Sequence, residues 1–78
     1  MIVPVQCRMA RAALDWNVLD LAREAKVGAS TIVRFEAERG RSNPATVMAI
    51  ERALEAAGIE FIPGGARLRD RPAEAVAS

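Results

Sequence analysis

Two short amphipathic segments with only three residues between them limit the fold of this chain more than any other feature. The first covers residues 18–25, the second begins near Ala29, and Lys26, Val27 and Gly28 separate them. Apolar residues recur at three- and four-residue intervals in both segments, which predicts two helices that each bury one face. Because the connection is so short, the two helices must cross in contact, and the chain is predicted to be mainly α-helical.

Residues that favour helix ends mark the starts of the first two predicted helices. Pro4 is suited to the first turn of a helix over about residues 5–14, because proline lacks an amide hydrogen that would stay unbonded there. Asn17 and Asp20 have the spacing of a capping box, which predicts the start of the second helix.

The third predicted helix ends at Gly40, and the fourth runs from the pair Asn43-Pro44 to a C-terminal cap at Gly58. The predicted core positions share the helical spacing: Cys7, Ala10, Leu14, Leu21, Ala22, Ala25, Ile32, Phe35, Val47, Ile50, Leu54 and Ala57. The polar residues of the first helix are assigned to its opposite face: Gln6, Arg8 and Arg11.

Two side chains that could bind or react are better explained by packing. Cys7 lies on the apolar stripe of the first helix, and free cysteines are usually buried, so a core role is favoured over a reactive thiol. Trp16 and Leu21 have the spacing of a hydrophobic staple around the second helix start. Trp16 is therefore interpreted as a packing residue rather than as a platform for ligand stacking.

Beyond Gly58 the pattern changes from helical to strand-like. Residues 59–62 and 66–69 flank a Pro-Gly-Gly turn, which predicts a hairpin or a strand with a return segment. Residues 70–78 have no usable pattern and are expected to form a flexible tail. The chain is thus divided into a helical domain at 1–58, a strand or hairpin at 59–69 and the tail.

The residue types exclude most catalytic chemistry. The chain has no His, no Tyr and a single Cys, which excludes His-based triads, His-containing metal sites and an internal disulfide. Glu51 and Glu55 lie one helical turn apart, and a solvated helix face explains them better than paired catalytic carboxylates do. We expect no catalytic residue, no metal and no cofactor.

The chain is not strongly basic, and its lone thiol leads us to expect a soluble cytoplasmic protein. The formal net charge is +1, so any binding of nucleic acid must come from local clustering of charge. No apolar run approaches the roughly 18 residues that span a membrane. The first residues also lack the pattern of a secretory signal.

Residues 21–36, LAREAKVGASTIVRFE, carry the most specific pattern in the chain. Ala22 is small where two helices cross, and Ile32 and Phe35 fill the space between them. The segment resembles the phage repressor/Cro-type helix-turn-helix proteins, the XRE group of bacterial transcription regulators, and the similarity extends over about residues 5–58. The resemblance implies a four-helix repressor-like domain whose third helix enters the major groove of DNA. The strand-like tail is similar to that of a short subset of this group.

The resemblance also implies which residues contact DNA. The base-contacting positions are Gly28, Ala29, Ser30, Val33 and Arg34. The phosphate-contacting positions are Asn17, Thr31, Arg39 and Arg41. Two positions depart from the family pattern: Lys26 stands where a turn glycine is usual, and Val18 stands where a phosphate-binding glutamine is usual.

Arg34 is the only long polar side chain among the implied base contacts. A bidentate bond to guanine O6 and N7 is worth roughly 1–3 kcal/mol of discrimination, and Ala29 or Val33 can contact a thymine methyl group. The alternative for Arg34 is a surface ion pair with Glu38. Residues 23–41 hold five basic and three acidic side chains, and this local charge of +2 also fits an ordinary solvated surface. Modest specificity, supplemented by DNA shape, is expected.

One helix with few phosphate contacts binds DNA weakly, so we expect a homodimer that places two such helices about 34 Å apart on an operator. The predicted dimer contact is edge pairing of the strand, through Ile59, Phe61 and Ile62. The alternative function is an antitoxin-like or accessory protein-interaction module with weak DNA binding, whose partner would be a toxin. The near-neutral charge and the apolar face of the third helix favour this alternative.

Overall fold

The computed structural model of the protein describes residues 1–37 and 42–69. Within these residues, four α-helices are followed by an antiparallel hairpin: α1 Pro4–Leu14, α2 Val18–Ala25, α3 Ala29–Glu36, α4 Pro44–Ala56, β1 Ile59–Ile62 and β2 Gly65–Leu68. This architecture confirms the prediction of a mainly α-helical chain with a C-terminal hairpin. The predicted helix end at Gly40 and the predicted tail at 70–78 lie outside the described residues.

Side-chain caps begin α2 and α4, as the sequence predicts. At α2, Asn17 Oδ1 accepts a hydrogen bond of 2.8 Å from the Asp20 amide, and Asp20 Oδ2 accepts one of 2.9 Å from the Asn17 amide. At α4, Asn43 Oδ1 accepts a bond of 2.8 Å from the Ala45 amide. Each bond satisfies an amide at a helix start that has no partner within the helix.

Two residues in the left-handed conformation end α1 and α2 and make the sharp connections possible. Lys26 ends α2 at φ 59° and ψ 42°, and Asp15 ends α1 at φ 58° and ψ 38°. This conformation costs a residue with a side chain roughly 1–2 kcal/mol. The Lys26 turn connects α2 to α3 through three residues, as predicted, whereas the sequence pattern did not indicate the left-handed Asp15.

In the described residues, α3 places its last residue against α1. It ends at Glu36, and Ala37 follows with φ −85° and ψ 0°. The Arg8 guanidinium donates a hydrogen bond to the carbonyl oxygen of Glu36. This contact joins the last residue of α3 to α1.

One hydrophobic core contains side chains from all four helices and from β1. Its buried members are Ile2, Cys7, Ala10, Leu21, Ala22, Ala25, Ile32, Phe35, Val47, Ile50, Leu54 and Ile59. The predicted core positions are all buried except Leu14 and Ala57, which are half-buried. Ile59 is only 2% exposed, so its side chain belongs to this core, whereas the sequence analysis assigned it to a contact with a second chain.

The hairpin is tightly turned and packs on the helices. β1 and β2 pair antiparallel, with Phe61 opposite Ala66, and both side chains pack against the core. Pro63 and Gly64 alone form the turn, and Gly64 has φ 75°, a conformation that glycine adopts without strain. Gly65 belongs to β2, so the turn is one residue shorter than the predicted Pro-Gly-Gly.

Candidate nucleic-acid interface

The outer side of α3 presents short side chains and one arginine to solvent. Four of the five predicted base-contacting residues are exposed: Gly28, Ser30, Val33 and Arg34. The fifth, Ala29, is half-buried and packs against the core. The opposite side of the helix is buried through Ile32, Phe35 and Glu36. The structure therefore brings Ser30, Val33 and Arg34 together on one accessible side of α3, whereas Ala29 faces the core.

Arg34 extends from this side without a partner in the described part of the chain. Its guanidinium forms no hydrogen bond and no ion pair with residues 1–37 or 42–69. Glu38, the alternative partner considered for it, lies outside those residues. Val33, the residue before Arg34, is 52% exposed.

The start of α2 carries the predicted phosphate contact at Asn17. The side-chain oxygen of Asn17 accepts the capping bond from Asp20, and the side-chain nitrogen, Nδ2, has no hydrogen-bond partner among the described residues. Val18 is half-buried and offers no polar group, and Leu19 is 65% exposed. The helix start therefore provides one side-chain donor, Asn17 Nδ2, beside the free amides of its first turn.

The other predicted phosphate contacts are less accessible or not described. Thr31 is half-buried on α3, close to the Gly28 cap. Arg39 and Arg41 lie outside the described residues. Asn17 and Thr31 thus stand at the starts of the two helices that meet at the Lys26 turn.

Three side chains of α1 bind Glu36, the last residue of α3. Arg11 Nη2 donates to Glu36 Oε1 at 2.7 Å, and Arg11 Nε donates to Oε2 at 2.7 Å. The thiol of Cys7 donates to the same Oε2 across 3.1 Å, and Arg8 binds the Glu36 carbonyl oxygen. Glu36 is 7% exposed, Arg11 is half-buried and Arg8 is exposed, so this Glu36 cluster of Cys7, Arg8, Arg11 and Glu36 connects α1 and α3 from the core to the surface.

The contacts within the Glu36 cluster shift the pKa values of Glu36 and Cys7. Burial opposes the charge of Glu36, but hydrogen bonds from Arg11 and Cys7 and the charges of Arg11 and Arg8 outweigh it, so the pKa of Glu36 is lowered. Burial, followed by the bond to Glu36, raises the pKa of the Cys7 thiol far above its ordinary range. Cys7 is therefore a protonated donor, in agreement with its interpretation as a core residue.

A second polar contact of α1 reaches the hairpin. Gln6 Nε2 donates to the carbonyl oxygens of Ile62 at 2.9 Å and Gly65 at 3.1 Å, and Gln6 Oε1 accepts a bond of 2.9 Å from the Val3 amide. Gln6 and Arg11, which the sequence assigns to the face opposite the apolar stripe, are half-buried, because the hairpin and α3 cover them.

The sequence positions of Arg11 and Glu36 could have indicated the ion pair between them. Arg11 follows the core residue Cys7 by four positions, and Glu36 follows the core residue Ile32 by four positions. Each charge therefore falls on the buried stripe of its helix. Opposite charges on two buried stripes predict an ion pair between the helices.

The predicted dimer contact contains residues of different accessibility. Phe61 is half-buried and Ile62 is 39% exposed, whereas Ile59 is in the core. The Arg69 amide donates to the Gly58 carbonyl oxygen at 2.7 Å. Opposite residues in an antiparallel pair of strands are alternately hydrogen-bonded and not hydrogen-bonded to each other. Phe61 is in a pair that is not, so its backbone N–H and C=O groups point away from β2. In the described residues they have no other backbone partner, so Phe61 and Ile62 provide the accessible part of this edge.

Neither a metal-binding cluster nor a membrane-spanning helix is found in the described residues. No group of three or more Cys, Asp or Glu side chains within 1–37 and 42–69 lies close enough to hold a metal ion. None of the helices in these ranges is long and apolar enough to cross a membrane. Compared with protein-family models and with curated proteins, the chain matches none.

Proposed function

We propose that this protein is a sequence-specific DNA-binding transcription regulator that acts as a homodimer, with α2 and α3 as a repressor-like helix-turn-helix. The observation that carries the proposal is the arrangement of α3. It follows α2 after a three-residue turn, buries Ile32 and Phe35 against the core, and exposes Ser30, Val33 and Arg34 together. A helix held in this way can enter the major groove with its exposed side toward the base edges.

The chemistry of the exposed side fits a small number of base contacts. Arg34 can donate two hydrogen bonds to guanine O6 and N7, and Val33 can contact a thymine methyl group. Ser30 can donate to or accept from a base. The side-chain amide of Asn17 and the unbonded backbone amides in the first turn of α2 supply donors for a phosphate.

A selection of bound sequences from a random pool of DNA duplexes tests the proposal. We expect enrichment of a two-fold-related sequence by the unaltered protein, with a guanine whose preference is lost in Arg34→Ala. Arg52→Ala is the matched control, because Arg52 is an exposed arginine on α4, outside the proposed surface. If no sequence is enriched, the proposal is wrong. If the Arg34→Ala variant selects an unchanged site, the role of Arg34 is wrong.

A second candidate function is an antitoxin-like or accessory module that binds another protein. The exposure of Leu19 on α2 and of Val33 on α3, 65% and 52%, favours it, because apolar contacts form the centre of protein interfaces. The salt dependence of DNA binding separates the two functions. If the protein is a regulator, the logarithm of its DNA-binding constant should fall with the logarithm of the salt concentration, with a slope near −0.9 per phosphate contact. A module that docks on a protein mainly through Leu19 and Val33 should show weak DNA binding.

A further inference from the structure

Helix α1 lies between the hairpin and α3 and is hydrogen-bonded to both. Gln6 holds the hairpin, and Arg11 holds Glu36 at the end of α3. The two residues are five positions apart, which in an α-helix corresponds to about 8 Å along the axis and about 140° around it. The two contacts therefore leave α1 in different directions, and α1 connects the hairpin to α3.

The contact with the hairpin is made at its turn. The carbonyl oxygens that accept from Gln6 belong to Ile62 and Gly65, the residues on either side of the turn. The Met9 methyl group also lies 3.4 Å from the position that a Cβ atom on Gly65 would occupy. This is an ordinary van der Waals distance, so Met9 packs beside Gly65, and Gln6 fixes the approach of α1 to the hairpin with two directed bonds.

The contact with α3 is made by the charged and polar groups of the Glu36 cluster. Arg11 binds both carboxylate oxygens of Glu36, and such a bidentate pair restricts orientation as well as distance. The start of α3 has no comparable restraint, because its cap residue Gly28 has no side chain. The rotation of α3, and with it the direction of Arg34, is fixed by the burial of Ile32 and Phe35 in the core and, at its last residue, by the bidentate pair with α1.

We infer that α1 fixes the distance between the two DNA-contacting helices of the dimer, and that Gln6 is the positioning residue for the spacing of the two operator half-sites. This inference rests on the proposed function, with the dimer formed through the hairpin. Each α3 is then connected to the two-fold axis through Glu36, α1, Gln6 and the hairpin. Because half-site spacing reflects the distance between the two α3 helices, releasing Gln6 from the hairpin broadens the range of spacings that the dimer accepts.

The substitution Gln6→Glu isolates the contact with the hairpin. A glutamate keeps an oxygen that accepts from the Val3 amide, and its negative charge is favourable in the first turn of α1. A carboxylate cannot donate to the carbonyl oxygens of Ile62 and Gly65, so both bonds to the hairpin are lost. The matched control is Arg67→Gln, which breaks the exposed ion pair with Glu60 inside the hairpin and leaves α1 unaltered.

The experiment measures binding to a series of duplexes in which the selected half-sites are moved apart or together by single base pairs. We expect the unaltered protein and Arg67→Gln to prefer one spacing roughly tenfold over its neighbours, the factor that two hydrogen bonds of ordinary net strength supply. Gln6→Glu should bind the neighbouring spacings within roughly threefold of the best one, with its base preference unchanged. Thermal unfolding confirms that the variant is folded.

Three results overturn the inference. A uniform loss of affinity at every spacing would show that Gln6 only stabilises the fold. An unchanged preference for one spacing in Gln6→Glu would show that the hairpin contact does not set the distance, while leaving the proposed function intact. An unaltered protein that selects no sequence from the random pool removes the proposed function and, with it, this inference.

Discussion

At the scale of single residues, Glu36 is the polar group whose side chain joins α3 to α1. Its carboxylate accepts from Arg11 and Cys7 while the residue is almost fully buried. Removing one partner of a buried ion pair leaves the other charge desolvated and costs about 3–5 kcal/mol, and the partial exposure of Arg11 favours the lower end.

The substitution Glu36→Ala is therefore expected to lower the free energy of unfolding by about 3 kcal/mol. Glu60→Ala, which breaks the exposed pair with Arg67, should cost less than about 1 kcal/mol. Urea denaturation of the two variants checks this difference. Equal losses would mean that the Glu36 cluster contributes no more than a surface ion pair.

The pH dependence of stability follows from the same residue. The pKa of Glu36 in the folded chain is below its ordinary value of 4.5, so the folded state binds its proton less readily than the unfolded state does. The stabilisation by the Glu36 carboxylate is thus complete above pH 4.5 and is lost as the pH falls through the lowered pKa. The difference in unfolding free energy between the unaltered protein and Glu36→Gln should shrink between pH 6 and pH 3, as urea denaturation at about these two pH values would measure.

Lys26 is a second residue whose conformation leads to a prediction. It is exposed and has φ 59°, so Lys26→Gly removes the strain of a left-handed side chain but adds freedom to the unfolded chain. We expect a net gain of about 0.5–1 kcal/mol in thermal or urea unfolding. Asp15→Gly is the comparison, and it should gain less, because aspartate tolerates this conformation better than lysine does. A loss of stability in Lys26→Gly would contradict the account of the turn.

At the scale of the elements, the sequence predicts local features well and contacts between elements poorly. The capping box at Asn17, the start of α4 at Asn43 and the positive φ of Gly58 depend on neighbouring residues, and each is found where the pattern placed it. The bonds of Gln6 to the hairpin join residues more than fifty positions apart. No local periodicity contains that information, since the carbonyl oxygens involved exist as acceptors in every sequence.

In the predicted site, too, local features could be predicted from the sequence and contacts between elements could not. The exposed side of α3 follows from helical spacing, and the structure places Ser30, Val33 and Arg34 on it together. Burial of Ile59 could not be read from a four-residue strand, because alternation alone does not say which face meets the helices. The phosphate contacts at Arg39 and Arg41 remain predictions from the resemblance.

The start of α2 offers a test of Asn17 that separates DNA binding from helix stability. Aspartate is as good a cap as asparagine, so Asn17→Asp should change the unfolding free energy by less than about 0.5 kcal/mol. The substitution removes the amide donor and adds a negative charge, so DNA affinity should fall severalfold and the salt slope should decrease in magnitude by about 1. Affinity and slope measured in titrations with the selected duplex would contradict the phosphate contact if both stayed unchanged.

At the scale of the whole molecule, the hairpin combines two roles in the proposed dimer. Its inner face completes the core through Ile59, and its outer edge and Ile62 remain accessible. Deleting the chain from Ile59 onward would therefore remove part of the core, and a loss of DNA binding in that variant would say nothing about a dimer. A substitution at the accessible Ile62 tests the edge without disturbing the core.

We expect Ile62→Lys to weaken dimerisation at least roughly tenfold, because a charge replaces an apolar side chain in the contact. Leu19→Lys is the matched control: Leu19 is a more exposed apolar residue on α2, and it should leave the dimer unchanged. Sedimentation equilibrium over a range of protein concentrations measures both. Ile62→Lys should also bind the two-fold operator only at higher protein concentration, while a single half-site is bound as before. If the unaltered protein stays monomeric at high micromolar concentration, or if Leu19→Lys dissociates the dimer and Ile62→Lys does not, the hairpin is not the dimer contact.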